Sequence, residues 1–165
     1  MIEIIRAARY DAPADAIFAI ITDPARYPAW QPGVEFACLA GEGPARQGSR
    51  VRQARMVMGR RAEIGLTITR LVPAELVALA TDPGSTPAVA ETYRLRSAAA
   101  GCRLEFRLTL GGIPAMAEHI ARAQLTRQTQ QMLERLAFVA ASRQPAWRPG
   151  GGGPDGSITP HTEGR

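Results

Sequence analysis

A chain of 165 residues with 45% hydrophobic and 21% charged residues suits one globular domain with a single core. Its net charge is +5 and all 20 basic residues are arginine, so the absence of lysine excludes Schiff-base chemistry through a lysine amine. The arginines are scattered from Arg6 to Arg165 with few aromatics between them, which argues against a nucleic-acid surface, and no run reaches the roughly 18 apolar residues of a membrane span.

Met1-Ile2-Glu3-Ile4-Ile5 lacks the basic region and small-residue cleavage site of a signal peptide. Cys38 and Cys102 are too few and too distant for a disulfide framework or a zinc site. Both read as small core residues of a protein expected in a reducing cytoplasm.

Ile2 to Tyr10 reads as a strand. Asp11-Ala12-Pro13 opens a helix from Ala14 to Ile21, with Pro13 in its first turn and Ile17, Phe18 and Ile21 on its buried side. Asp23-Pro24 starts a second helical turn through Arg26 and Tyr27, which Pro28 is expected to stop. Beyond Gly33 the texture changes to strands separated by turn residues: Val34–Leu39, Ser49–Met58, Arg61–Val72, Glu75–Ala80, Val89–Leu95 and Cys102–Leu110. Two of these alternate cleanly. Ala62, Ile64, Leu66 and Ile68 form one dry face, and Cys102, Leu104, Phe106, Leu108 and Leu110 form another.

Gly111-Gly112 breaks the last strand, and Pro114 to Ala141 reads as one long helix. Its stripe runs through Ala121, Leu125, Met132, Leu136, Val139 and Ala140, with Gln128 and Thr129 on the same side. Residues 143–165, with glycines at 150–153, read as a disordered Gly/Pro-rich tail after a domain of 1–142. The expected fold is therefore α+β: a curved antiparallel sheet of about seven strands wrapped around a long C-terminal helix.

The alternation Val89, Glu91, Tyr93, Leu95 puts a carboxylate and a phenol on the inner face of one strand. A desolvated carboxyl there has a raised pKa, which suits acid/base work; nearer the strand's mouth it is solvated or paired with arginine. The hairpin around Gly59 has two candidate registers. Pairing Arg55 with Ile64 across a Gly59-Arg60 turn points Arg55 inward; pairing Ala54 with Ile64 across a three-residue loop points Arg52 inward instead. His119 is the one histidine of the folded region, lies at the edge of the stripe, and has no second His, Cys or acidic residue at ligand spacing. It reads as exposed or capping, and no metal is expected. Gln128 and Thr129 face the sheet, either to orient a ligand carbonyl or to bond within the core.

Several local features resemble the START-like (SRPBCC) superfamily, the helix-grip fold, and within it the polyketide cyclase/dehydrase group. They are Ala12-Pro13-Ala14-Asp15-Ala16-Ile17-Phe18, Asp23-Pro24-Ala25-Arg26-Tyr27-Pro28-Ala29-Trp30, Gly48-Ser49-Arg50-Val51, Pro73 after Leu71-Val72, and Gly101-Cys102-Arg103-Leu104. The resemblance spans residues 2 to 141. It implies a hydrophobic cavity between sheet and helix, closed by the two short helices, with Tyr27 and Trp30 as packing or gating aromatics. Tyr27, Trp30, Ile64, Leu66, Phe106, Leu125, Gln128, Thr129 and Met132 would then line the ligand's site.

The leading expectation is a protein without a cofactor that encloses a hydrophobic, polyketide-like molecule and promotes cyclisation or dehydration. Glu91 and Tyr93 would be its acid/base pair, and Arg55 or Arg52 would hold an enolate or carboxylate. The rival is a non-catalytic carrier or sensor of a lipid or quinone; a weaker third is a partner-binding module using the same groove.

Overall fold

A computed structural model describes residues 1–57 and 59–142; the tail expected at 143–165 lies outside the described residues. The elements run β1 (Ile2–Tyr10), α1 (Ala14–Ile21), a 3-10 turn (Pro24–Arg26), α2 (Tyr27–Trp30), β2 (Val34–Ala40), β3 (Arg50–Val57), β4 (Arg60–Val72), β5 (Leu76–Ala80), β6 (Ala88–Ala98), β7 (Gly101–Gly111) and α3 (Ala115–Ala141). The seven strands make one antiparallel sheet in the order β1-β7-β6-β5-β4-β3-β2. The expected α+β fold, a curved sheet around a C-terminal helix, is the one observed.

The dry face of β7 is buried at Cys102, Leu104, Phe106 and Leu108, and that of β4 at Leu66 and Ile68. α3 lies over this concave side, against β1 and α2. Thr129, Met132, Leu133 and Leu136 are its buried residues, so the expected stripe is right with Leu133 added. The Tyr10 hydroxyl donates to the Leu133 carbonyl at 3.0 Å and pins the helix's second half to β1. At its first turns the Met1 ammonium meets Glu118 Oε1 at 2.8 Å, and Arg122 Nη1 donates to the Glu3 carbonyl at 3.0 Å.

One strand junction requires glycine. A Cβ on Gly101 would lie 1.9 Å from the Tyr10 carbonyl oxygen, and its φ of +142° is one that L residues rarely adopt. The β6–β7 turn can therefore close tightly against the end of β1.

Four expectations need correction. Pro28 does not stop a helix; it sits in the first turn of α2, where its missing N–H is no loss, and Trp30 follows on the same short helix. Pro13 is the N-cap of α1 and not a first-turn residue, and the buried side of α1 is Ala14, Ile17, Ile20 and Ile21, with Phe18 only half-buried. The β3–β4 register is neither of the two expected. Val57 pairs with Arg60 and Arg55 with Ala62, so the hairpin closes between Val57 and Arg60, with Gly59 at φ +76°.

β4 pairs with β5 only from Thr67 onward, whereas its first half pairs with β3 alone. The β3–β4 hairpin therefore overhangs the edge of β5. That overhang is what makes room for a site.

Candidate functional site

The inner face of β6 carries Val89, Glu91, Tyr93 and Leu95, as the alternation required. Glu91 and Tyr93 are both buried, and the Tyr93 hydroxyl donates to Glu91 Oε2 at 3.0 Å. Burial raises the Glu91 pKa above the ordinary carboxylate range; the Arg55 guanidinium and the Tyr93 hydrogen bond oppose that rise without cancelling it. The Tyr93 hydroxyl is likewise raised, first by burial and then by Glu91, so it keeps its proton. Its ring is held between Phe106, with centroids 4.8 Å apart, and the edge of Trp30 at 6.0 Å. The carboxyl and phenol are thus locked in one geometry by the packed core behind them.

Arg55 comes from the overhanging hairpin. It pairs with Ala62 on the inner side of β3, is half-buried, and its Nη2 donates to the Pro32 carbonyl at 3.4 Å. Arg52, opposite Gly65, is exposed and has no part in the site. The choice between the two arginines is settled by parity: an odd-to-even pairing of β3 with β4 faces Arg55 inward, whichever such register is taken.

In front of Glu91 lies a cavity of about 160 Å³. Ile64, Val89, Phe106, Leu108 and Leu110 form its sheet wall, and Leu125, Gln128, Thr129 and Met132 form its helix wall. Glu91 and Arg55 are the ionisable residues lining it. Drug-sized sites occupy roughly 300–1,000 Å³, and a cavity of about 150 Å³ holds a single benzene ring. The volume here therefore fits one ring of a guest. Met56 and Val57 line the cavity and are exposed, so it opens to solvent beside the hairpin tip.

Of the residues expected to bind ligand, Ile64, Phe106, Leu125, Gln128, Thr129 and Met132 border the cavity. Leu66, Tyr27 and Trp30 do not. Leu66 lies in the core, and the Tyr27 hydroxyl donates to the Ile21 carbonyl at 3.1 Å while its ring packs on Trp30. The aromatics fill space behind the site, and it is Gln31 and Pro32, just after α2, that reach the cavity. Tyr93 does not line the cavity and is joined to it only through its hydrogen bond to Glu91. His119 is exposed, as expected.

Sequence reasoning missed Gln31, Pro32, Pro87 and Gln124 at the cavity, and the buried Gln53, which does not line it. Gln53 is two residues before Arg55 on the same inner face, so assigning Arg55 inward was the signal for it. It is buried with Oε1 unpartnered, as is Trp30 Nε1. Gln124 lies one helical turn before Gln128 and lines the cavity with it. Among the described residues no group of three His, Cys, Asp or Glu is placed to hold a metal ion. No helix among them is long and apolar enough to cross a membrane.

A family model described as polyketide cyclase / dehydrase and lipid transport matches residues 1–141. None of the curated proteins matches. Among solved structures, the Zhui aromatase/cyclase from Streptomyces sp. R1128 is similar, with TM-score 0.68, 18% identity and coverage of 88% of this chain and 96% of that one. TTHA0849 from Thermus thermophilus superposes with TM-score 0.73 at 15% identity, covering 87% of this chain and 100% of the other. The di-domain ARO/CYC BexL from the BE-7585A biosynthetic pathway gives TM-score 0.65 at 17% identity over 84% of this chain; the match spans 46% of BexL. At these identities the likeness is one of fold.

Proposed function

The chain belongs to the polyketide cyclase/dehydrase and lipid transport family, and from that premise we propose that it closes or dehydrates a ring in a polyketide-like guest, with Glu91 as the proton-transfer group. The observation that carries this reading is the Tyr93–Glu91 hydrogen bond of 3.0 Å at the wall of an apolar cavity. A carboxyl whose hold on its proton is strengthened by burial is a suitable acid for a carbonyl oxygen beside it.

The chemistry needs no net proton. In an intramolecular aldol addition, the enol carbon of one ketone forms a bond to a second carbonyl carbon, whose oxygen takes the Glu91 proton. The enol O–H proton, released as its carbonyl reforms, returns to Glu91. In the dehydration that follows, Glu91 protonates the new hydroxyl, the C–O bond breaks and water leaves, and the adjacent C–H proton restores the acid. Tyr93 orients the carboxyl and touches no guest atom. Arg55, half-buried at the same wall, stabilises negative charge developing on a ketone oxygen. Holding the flexible guest folded supplies the remainder, on the order of 7–11 kcal/mol in the best intramolecular cases.

The test is cyclisation of a linear poly-β-ketone thioester by wild type, Glu91→Gln and Tyr93→Phe. Glu91→Gln should lower kcat by about 100-fold or more and Tyr93→Phe by less; unchanged rates in both would remove Glu91 from the chemistry. A second reading, as a carrier of an apolar molecule, draws on the largely hydrocarbon wall formed by Ile64, Val89, Phe106, Leu108 and Leu110. It predicts a guest that co-purifies and is recovered chemically unchanged.

A further inference from the structure

Five of the eight exposed large hydrophobics among the described residues gather at one end of the molecule, and that end holds the cavity mouth. Met56 and Val57, at 38% and 42% exposure, form one lip at the tip of the β3–β4 hairpin. Met116 and Ile120, at 90% and 63%, lie on the first turns of α3. They continue outward the i, i+4 row that enters the cavity as Gln124 and Gln128. Met1, 82% exposed, is tethered beside them by its ammonium's contact with Glu118. Ile5 and Phe138 lie elsewhere, on β1 and the end of α3, and Phe36 sits on β2 opposite Ala54, on the outer face of the sheet beside Met56.

The charges around this collar are unequal. Its acidic residues are already engaged: Glu118 by the N-terminus, and Glu35 and Glu63 by Arg61. Arg60 at the hairpin tip and Arg127, two turns along α3 from Ile120, are exposed and form no ion pair among the described residues. Protruding unbranched and aliphatic side chains flanked by unpaired arginines match the boundary between acyl chains and anionic headgroups. A protein partner is the poorer fit, because the collar offers none of the Trp or Tyr anchors that dominate such interfaces.

We infer that this collar docks the protein on an anionic lipid bilayer, with the cavity mouth facing the acyl chains, so that an apolar guest passes between bilayer and cavity without crossing water. The inference rests on the proposed function only for what is exchanged; the docking surface stands on the exposed residues themselves.

The experiment is co-sedimentation of the full chain with vesicles of phosphatidylcholine alone and of phosphatidylcholine with phosphatidylglycerol. Wild type should sediment with the anionic vesicles and less with the neutral ones, and added salt should weaken the binding. Met116→Glu with Ile120→Glu should weaken it by roughly tenfold or more, and Phe138→Glu should leave it unchanged. Binding of toluene by the double variant at wild-type strength would show that the cavity is intact. Should the double variant fail to bind that probe, Arg60→Ala with Arg127→Ala decides, through a loss of the preference for anionic vesicles. Wild type that sediments with vesicles but binds no probe supports the docking surface and removes the cavity reading. No sedimentation of wild type, or vesicle binding undiminished in both double variants, overturns the inference. So does a wild-type dimer that Met116→Glu with Ile120→Glu converts to monomer, since a second copy would then own this face.

Discussion

The two halves of the concave side use the same sheet and the same helix to opposite ends. Toward the C-terminal half of α3, Leu133 and Leu136 meet Tyr10, Trp30 and the buried faces of α1 and α2, and the space is filled by the chain itself. Toward its N-terminal half, α3 presents Ala121, Gln124, Leu125 and Gln128 to a sheet wall of Val89, Leu108 and Leu110, and a cavity remains. Side-chain volume makes the difference, together with where the short helices lie. Glu91 stands at the boundary, hydrogen-bonded to the packed half through Tyr93 and lining the open half. The carboxyl is held rigid from one side and faces the cavity on the other.

Truncation should separate the halves most sharply. Leu136→Ala removes a fully buried side chain from the packed half and should cost about 2–5 kcal/mol. Leu125→Ala, half-buried at an existing cavity, should cost about 1 kcal/mol or less, because less contact is lost there. Denaturant midpoints of the two variants measure this directly, and equal losses would mean that the open half is packed in solution.

The boundary has its own signature. The unfolded Glu91 ionises near pH ~4.3, and burial raises its folded pKa above that value. Below the unfolded pKa both states hold the proton and the wild-type fold keeps its full stability. As pH rises toward the folded pKa the unfolded chain ionises first, and stability falls. Glu91→Gln cannot ionise, so its melting temperature relative to wild type should rise with pH through that window. A difference, variant minus wild type, that stays flat or falls as pH rises contradicts a buried acid at this position.

The smallest effect concerns Gln53, buried with its carbonyl oxygen unpartnered. Gln53→Met keeps the volume and removes an unsatisfied acceptor, so stability should change by less than about 1 kcal/mol or increase. A loss above about 2 kcal/mol would show that the amide is satisfied in solution.

The packed half was the more legible in the sequence, for a physical reason. Burial on one face imposes period two on β4 and β7 and a helical stripe on α3, and those patterns are written in Leu66, Ile68, Leu104, Phe106 and Leu136. The pair Glu91 and Tyr93 was readable from the same parity. The hairpin register was not, because Gly59 suits either position of a two-residue loop and the strand pattern tolerates any shift of two. Arg55 was nevertheless one of the two expected arginines, since a shift of two preserves which face it occupies. For Tyr27 and Trp30 the sequence left packing and gating both open, since composition reveals that aromatics are buried, but not whether they border a cavity or lie one layer behind it; both pack in the core. Pro28 misled because a proline ends one helix and begins the next with equal ease.

The most direct measurement of the central claim is binding of toluene, a single-ring guest, to wild type and to Leu125→Trp, followed by calorimetry, with melting temperatures recorded alongside. The larger side chain enters a cavity of about 160 Å³ that the wild type leaves open. The account predicts saturable binding by wild type, its loss in Leu125→Trp, and a melting temperature that does not fall. Equal binding by both proteins, or none by either, would contradict it.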